Sequence, residues 1–180
     1  MRKLAFILFT ITTVFALTSC GSDDEKEQIF FEGECKQTVE IKGYSGQVAE
    51  TNPAVTSTLS DMLKDNPNYG SPISTGEFYP DRTSIKIVGL KEGVTLAGFT
   101  LTINGKSQVF GDIKLPNGST EYILYTGSYT DFFKNGFNMM VNKKQLETVV
   151  KFTPSVDVTA ADNVKLEIVY RGKFSYWAKK

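Results

Sequence analysis

Two pairs of carboxylates come nearest, by residue type and spacing, to catalytic chemistry. Asp61 and Asp65 are four residues apart in a helical pattern, and Glu32 and Glu34 alternate along a strand-like segment. Glycosidases use two such groups, one as an acid and the other as a base or nucleophile. Neither pair lies in a recognisable catalytic motif, and solvated surface positions explain both. A small carboxylate-based hydrolase is therefore the least favoured of three functional hypotheses.

The chain contains no histidine, which removes the commonest general base and the commonest transition-metal ligand. Serine and threonine are plentiful, but they lack the histidine that usually activates a nucleophile. The sequence has no phosphate-binding loop, dinucleotide fingerprint, zinc-ligand spacing or nucleophile elbow. We therefore predict a protein that is not an enzyme and has no catalytic residues, no metal and no cofactor.

Four aromatic residues near loops are the only features that favour a ligand site. Tyr69 and Tyr79 bracket a stretch rich in glycine, proline and serine, while Tyr176 and Trp177, the only tryptophan, lie near the C-terminus. Surface aromatic rings can stack on sugars and are favoured contact residues at interfaces. A binding role for these four residues implies a glycan or protein ligand. The alternative is that Tyr176 ends a core stripe and Trp177 covers a sheet edge.

The first residues of the chain have the features of an export signal. A positively charged start, Met1–Lys3, precedes fourteen uncharged and mostly apolar residues, 4–17. As a helix this stretch would span roughly 21 Å, short of the roughly 30 Å of a bilayer core. The pattern therefore predicts a secretory signal peptide and not a permanent transmembrane helix.

Residues 17–20 are Leu-Thr-Ser-Cys, which resembles the lipobox of bacterial lipoproteins. The resemblance covers the first twenty residues only. It implies that residues 1–19 are removed as a signal peptide and that Cys20 carries a diacylglycerol and an acylated amine, such as palmitate. Two or three acyl chains anchor a protein stably to a membrane. The alternative is an ordinary signal peptide with a cysteine nearby.

A short acidic segment follows the cysteine, and we predict that residues 20–28 form a lipidated, flexible tether. Gly21 is not the aspartate that typically retains Gram-negative lipoproteins in the inner membrane, so the resemblance implies the outer membrane. The run Asp23–Glu27 also resembles the export signal of surface lipoproteins, which implies exposure at the cell surface. A periplasm-facing anchor is the alternative.

The remaining residues, 29–180, suffice for one domain with a substantial core. The chain has 20 basic and 20 acidic residues, and loss of Arg2 and Lys3 with the signal leaves 18 against 20, a net charge of −2. No strongly basic face is implied, so we do not expect nucleic-acid binding. If Cys20 is lipidated, Cys35 has no intramolecular partner, and its position on an apolar strand face predicts burial over a reactive thiol.

Alternating apolar and polar residues predict that this domain is mostly β. The longest run lies near the C-terminus, at 164–176. Residues 122–125 are apolar on both faces, which suits a central strand. Short strands separated by glycine, asparagine and proline turns, such as Pro116-Asn117-Gly118, indicate an antiparallel β-sandwich with one or two short helices. A β-barrel is the alternative.

The sequence also predicts one hairpin in detail. Asn104-Gly105 favours a type I′ turn, which places Ile103 opposite Lys106 and Phe99 opposite Phe110. The apolar phase changes upstream, at Ala97-Gly98, and a β-bulge there would reconcile the two halves.

Two segments have helical spacing. The first has an N-cap and first-turn proline at Asn52-Pro53 and ends at Asn66-Pro67; its apolar positions are Val55, Leu59, Met62 and Leu63. The second begins near Ser128 and contains Gly136, which costs about 1 kcal/mol in mid-helix; its apolar positions are Phe133, Phe137, Met140 and Val141.

Three functional hypotheses follow. The first is a non-enzymatic binding or interaction module at the outer membrane, attached through its N-terminal lipid, with a glycan or protein ligand. The second is a structural subunit of a surface fibre or envelope assembly, joined by strand addition at a sheet edge, with 164–176 as the exchangeable strand. The third is the hydrolase.

Overall fold

The computed structural model describes residues 25–41, 49–51, 53–157 and 163–180. Cys20 and the predicted signal peptide, residues 1–19, lie outside this part of the chain. The strands in chain order are β1 (Lys26–Glu40), β2 (Ala49–Glu50), β3 (Val55–Thr58), β4 (Ile73–Phe78), β5 (Ser84–Val88), β6 (Thr95–Ile103), β7 (Lys106–Lys114), β8 (Glu121–Tyr125), β9 (Gln145–Pro154) and β10 (Lys165–Lys179). The helices are α1 (Leu59–Leu63) and α2 (Thr130–Lys143), with 3₁₀ turns at Pro80–Arg82 and Gly127–Tyr129.

The strands form two antiparallel sheets, each built around one long strand. In the first sheet the order is β1-β10-β5-β8, and β4 pairs with β10 beyond the end of β5. In the second the order is β2-β9-β6-β7, and β3 also pairs with β9. The arrangement confirms the predicted mainly-β, sandwich-like fold and does not form a closed barrel.

The β6–β7 hairpin confirms the predicted turn. Asn104 and Gly105 both have positive φ, 48° and 84°, as a type I′ turn requires. Ile103 pairs with Lys106, as the turn type dictates.

The predicted bulge is also present, but it changes one predicted pair. The register shifts on both sides of Phe99, and Gly98 adopts a φ of 61°. Phe99 therefore lies opposite Gly111 and not opposite Phe110. The two phenylalanine rings still touch, with centroids 5.8 Å apart, because the bulge moves the pairing by only one residue.

The first predicted helix is shorter than its apolar spacing indicated. Residues 55–58 form β3, which pairs with β9, and helix α1 occupies only Leu59–Leu63. Three of the four β3 residues are β-branched, which favours a strand. The N-cap is Thr58, whose hydroxyl accepts a hydrogen bond from the backbone N–H of Asp61 at 3.1 Å, and not the predicted Asn52, which lies outside the described residues.

Helix α2 confirms the second predicted helix. Its predicted apolar residues are all buried, and the ring of Phe137 contacts those of Tyr170 and Phe174 at centroid distances of 6.0 and 5.5 Å. A Cβ at Gly136 would collide with the hydroxyl of Tyr170. The close approach of α2 to β10 therefore explains a glycine in mid-helix.

Two strands occupy positions that the sequence did not indicate. Strand β8, expected in the centre of a sheet, lies at its edge, with Ile123 39% and Tyr125 66% exposed. The strand predicted to be exchangeable is the central strand β10, paired on both sides. The prediction that 164–176 is an exchangeable strand is therefore wrong, because its removal would divide the first sheet.

The core lies between the sheets and holds few polar groups. Cys35 is fully buried, as predicted, and burial, with a smaller contribution from the Glu34 carboxylate, raises the pKa of its thiol. The buried amide of Gln37 links the sheets: it donates to the Leu146 carbonyl at 3.1 Å and accepts from the Thr148 hydroxyl at 2.6 Å.

Candidate functional site

A cleft opens on the outer face of the first sheet, where the neighbour of β10 changes from β4 to β5. Between these strands the chain makes the 3₁₀ turn Pro80–Arg82, which interrupts the strand pairing of β10 at Arg171. The cleft has a volume of about 190 Å³. Its lining residues are Glu32, Gly33, Glu34, Asn66, Tyr79, Arg82, Arg171 and Gly172. We refer to it as the Tyr79 cleft.

Hydrogen bonds attach the turn to β10 and to the residue that follows β8. The N–H of Tyr79 donates to the carbonyl of Arg171 at 2.9 Å. The buried hydroxyl of Thr83 accepts from the N–H of Arg171 at 3.2 Å and donates to the carbonyl of Tyr79 at 3.1 Å. Thr126 donates to the carbonyl of Pro80 at 2.6 Å. These hydrogen bonds therefore fix the main chain of the turn that carries Tyr79.

Two arginine–glutamate pairs cross the cleft. The β1–β10 register places Glu34 opposite Arg171, and Nε and Nη2 of the arginine contact Oε2 of the glutamate at 2.8 and 2.6 Å. Nη1 of Arg82 contacts Oε2 of Glu32 at 3.4 Å. All four side chains are more than a third exposed, so their remaining donors and acceptors face solvent.

The ring of Tyr79 forms one wall of the cleft. The guanidinium carbon of Arg82 lies 5.9 Å from the ring centroid, within the range of a cation–π contact. Burial and the carboxylates of Glu32 and Glu77 raise the pKa of the Tyr79 hydroxyl, against an opposing effect of Arg82. The hydroxyl is therefore protonated at neutral pH, and its hydrogen bond with the Glu32 carboxylate contributes to the raised pKa.

Asn66 closes the cleft beside β1, where its side-chain amide hydrogen-bonds to the main chain of Glu34 as a neighbouring strand would. Its Oδ1 accepts from the N–H of Glu34 at 2.7 Å, and its Nδ2 donates to the carbonyl of Glu34 at 3.0 Å. Nδ2 also donates to the carbonyl of Leu63 at 3.1 Å, at the end of α1. The sequence indicated Asn66 only as a helix terminator, because its partner is 32 residues away.

The structure divides the four predicted aromatic residues among three locations and brings only Tyr69 and Tyr176 together, around Phe31. Tyr79 lines the cleft, whereas Tyr69 and Tyr176 are partly buried and pack edge-on against Phe31 at centroid distances of 6.3 and 6.2 Å. Trp177 is 53% exposed and lies farther along β10. These residues therefore do not form one platform.

The two predicted carboxylate pairs lie in different parts of the structure. Glu32 and Glu34 both lie in the Tyr79 cleft, whereas Asp61 accepts from the hydroxyl of Thr58 at 2.6 Å within the cap of α1. Sequence reasoning missed the two arginines, Arg82 and Arg171. No local motif marks them, since Arg171 meets Glu34 across 137 residues of sequence.

A second hollow, of about 260 Å³, lies between β4 and α2. Its lining is neutral and contains no aromatic ring: Ser74, Thr75, Gly76, Asn138, Val141 and Asn142. It offers hydrogen-bonding groups but no flat apolar surface, so we favour the Tyr79 cleft as the functional site.

The chain matches no family model, no curated protein and no solved structure. In the described part of the chain, neither helix combines the length and hydrophobicity needed to cross a bilayer. Function therefore has to be inferred from the chemistry of the cleft.

Proposed function

We propose that this protein is a lipid-anchored, non-enzymatic binding module of the bacterial outer membrane, exposed at the cell surface, and that it binds a carbohydrate in the Tyr79 cleft. The observation that carries the proposal is the aromatic wall of Tyr79 beside two arginine–glutamate pairs in an open cleft. A protein ligand is the alternative within the same class.

The chemistry of the cleft suits a neutral sugar ring. The C–H face of a sugar packs on an aromatic ring, and its hydroxyl groups both donate and accept. Glu32 and Glu34 supply acceptors, and Arg82 and Arg171 supply donors in fixed planes. Because each guanidinium already has a carboxylate partner, the net charge of the cleft is near zero, which favours a neutral ligand over an anion.

The size of the cleft limits the ligand to one ring in contact. Sites for drug-sized ligands occupy about 300–1,000 Å³, and this cleft is smaller, at about 190 Å³. It is also open, so a longer glycan can continue along the sheet. We therefore expect recognition of one sugar unit within a larger chain and modest affinity for each site.

The test is affinity electrophoresis of the soluble chain from residue 21 onward through gels that contain host or microbial polysaccharides. We expect at least one polysaccharide to retard the protein, and Tyr79→Ala to abolish the effect. Tyr125→Ala is the matched control, because Tyr125 is an exposed tyrosine of the same sheet that does not line the cleft. Retardation that survives Tyr79→Ala would place the ligand elsewhere, and release of reducing sugar would show an enzyme.

The anchor is tested separately in the native organism. The intact mass of the purified mature chain should show an acylated N-terminus at Cys20. The substitution Cys20→Ala should release the protein from the membrane. Protease added to intact cells should degrade a surface-exposed domain and spare a periplasmic one. These results bear on the lipobox resemblance and are independent of the cleft.

A second candidate function, a subunit of a fibre or envelope assembly, is favoured by the edge position of β1. Within the described residues this fifteen-residue strand pairs only with β10. The N–H of Glu34 points to Asn66, so the N–H groups of even-numbered residues along β1 point away from β10. Thr38→Pro removes one of them and should abolish crosslinked ladders on cells if strands add at this edge.

A further inference from the structure

A second exposed surface lies on the same face as the Tyr79 cleft, at the end of the first sheet. The β1–β10 register places Lys26 opposite Lys179, Gln28 opposite Trp177 and Phe30 opposite Ser175. Phe30 and Trp177 are each 53% exposed, although most large apolar side chains of this fold are buried. As diagonal neighbours on adjacent strands, their Cβ atoms are roughly 7–8 Å apart. We call this surface the Trp177 patch; its members are Lys26, Phe30, Lys173, Trp177 and Lys179.

The patch combines apolar and basic groups, and Lys173 lies between Glu32 and Glu77 of the two neighbouring strands. Nζ of Lys173 lies 4.9 Å from the centroid of the Phe30 ring, which keeps an amine beside exposed aromatic surface. Lys26 and Lys179 are exposed at the outer end of the same two strands. Aromatic rings flanked by lysine amines match the layered chemistry of a membrane interface, where tryptophan is enriched and lysine reaches the lipid phosphates.

The patch also lies where the chain from Cys20 enters the fold. The N–H of Lys180 donates to the carbonyl of Glu25 at 2.9 Å, and the Lys180 amine contacts the Glu25 carboxylate at 3.1 Å. Cys20 precedes Glu25 by five residues, which span at most about 18 Å when fully extended. A lipid on Cys20 therefore keeps this end of the sheet close to the membrane surface.

The cleft lies away from that end. Trp177 and Arg171 are six residues apart on β10, which corresponds to roughly 20 Å at about 3.3 Å per residue. Trp177 and Arg171 therefore lie in different parts of one sheet face, and the two surfaces meet where Lys173 pairs with Glu32.

We propose that the Trp177 patch is a membrane-contact surface that places Phe30 and Trp177 in the headgroup region while its lysine amines contact lipid phosphates. This proposal rests on the lipid anchor of the proposed function and not on the carbohydrate ligand. Contact at the patch adds to the acyl chains and fixes the orientation of the domain.

The single tryptophan makes the test specific, because all tryptophan fluorescence comes from this patch. The full mature protein is placed in vesicles of phosphatidylethanolamine and phosphatidylglycerol. We expect its emission to shift to shorter wavelength than in the unlipidated chain in buffer, and to be quenched when the acyl chains are brominated. Unchanged emission without quenching would overturn the proposal.

A second arm uses the unlipidated chain from residue 21, so that the patch is measured without the anchor. We expect salt-sensitive binding to the same vesicles, and an about fivefold weakening by Lys26→Gln or by Lys173→Gln, the size expected for one basic residue at an anionic surface. Phe30→Ala should weaken binding at all salt concentrations, whereas the control Tyr125→Ala should bind like the wild type.

The outcomes separate the two proposals. A mature chain without acyl groups overturns the lipid anchor, and the unlipidated arm still decides whether the patch binds membranes. Vesicle binding that is unaffected by the lysine and Phe30 variants overturns the patch. If a polysaccharide and not the vesicles shifts the Trp177 emission, the patch is a sugar platform and the membrane proposal is wrong.

Discussion

Replacing Gly136 by alanine tests the contact between α2 and β10, because Gly136 lies where the helix packs against Tyr170. The new Cβ would collide with the Tyr170 hydroxyl and lie 3.1 Å from Cγ2 of Ile103. Overpacking of this kind destabilises a core by about 1–3 kcal/mol, while alanine improves helix propensity by about 1 kcal/mol. We therefore expect Gly136→Ala to lower the free energy of unfolding by about 1 kcal/mol.

The substitution Tyr170→Phe, on the other side of this contact, should raise the free energy of unfolding. The hydroxyl is fully buried and has no hydrogen-bond partner among the described residues, and burial, with a smaller contribution from Cys35, raises its pKa. A buried polar group without a partner costs about 1–3 kcal/mol. Phenylalanine keeps the ring contacts with Phe133 and Phe137, so we expect the free energy of unfolding to rise by about 1 kcal/mol.

The double mutant decides whether the two effects share one cause. Without the hydroxyl, the nearest remaining ring atom of residue 170 lies 3.5 Å from the new Cβ, an ordinary contact. The gain from Tyr170→Phe and the helix propensity of alanine should then add, reduced by the remaining 3.1 Å contact with Cγ2 of Ile103. Gly136→Ala/Tyr170→Phe should therefore be about 1 kcal/mol more stable than the wild type, as measured by circular dichroism in urea. The reasoning would be refuted if Tyr170→Phe is destabilising, or if the double mutant is no more stable than Gly136→Ala.

Three further predictions concern the core and the cleft. Gln37→Leu leaves the buried Thr148 hydroxyl without its acceptor and the Leu146 carbonyl without one donor, and should cost about 1–3 kcal/mol. Adding Thr148→Val should recover only the part due to the hydroxyl, measured by urea denaturation. Cys35 should react with a thiol reagent only after unfolding. The pKa of Cys35 is raised in the folded state. Its contribution to the free energy of unfolding should therefore be complete below the ordinary cysteine pKa of about 8.5 and decline above it. Cys35→Ala should make the free energy of unfolding less dependent on pH across this range. Arg171→Ala should abolish retardation by polysaccharide but change stability by no more than about 1 kcal/mol, because its ion pair with Glu34 is exposed.

Local signals in the sequence predicted the elements that depend on near neighbours. The Asn104-Gly105 turn is specified by two residues that tolerate positive φ, and the buried face of α2 by one helical repeat. Where local and distant interactions compete, the local sequence pattern did not predict the secondary structure that forms. The helical spacing from Val55 onward fails in its first turn because β9 offers this segment a strand partner.

The cleft was not predictable from the sequence for the same reason. It depends on the register that sets Glu34 opposite Arg171, and on the break between β4 and β5 that exposes Arg171. Both features connect residues that are far apart in the chain, so no spacing in the sequence reveals them. The sequence did single out Tyr79 by its place beside a loop, but gave equal weight to Tyr69, which packs on Phe31.

Strand β10 relates the two proposed surfaces to each other. It contributes Arg171 to the cleft and Trp177 to the patch, and its pairing with β1 along its whole length holds the two at a constant separation of roughly 20 Å. If the patch contacts the membrane, the orientation of the cleft is set by the sheet and not by the tether. Lengthening the segment between Cys20 and Glu25 should therefore leave the Trp177 emission in vesicles unchanged. Loss of the emission shift on lengthening would mean that the lipid alone held the patch at the bilayer.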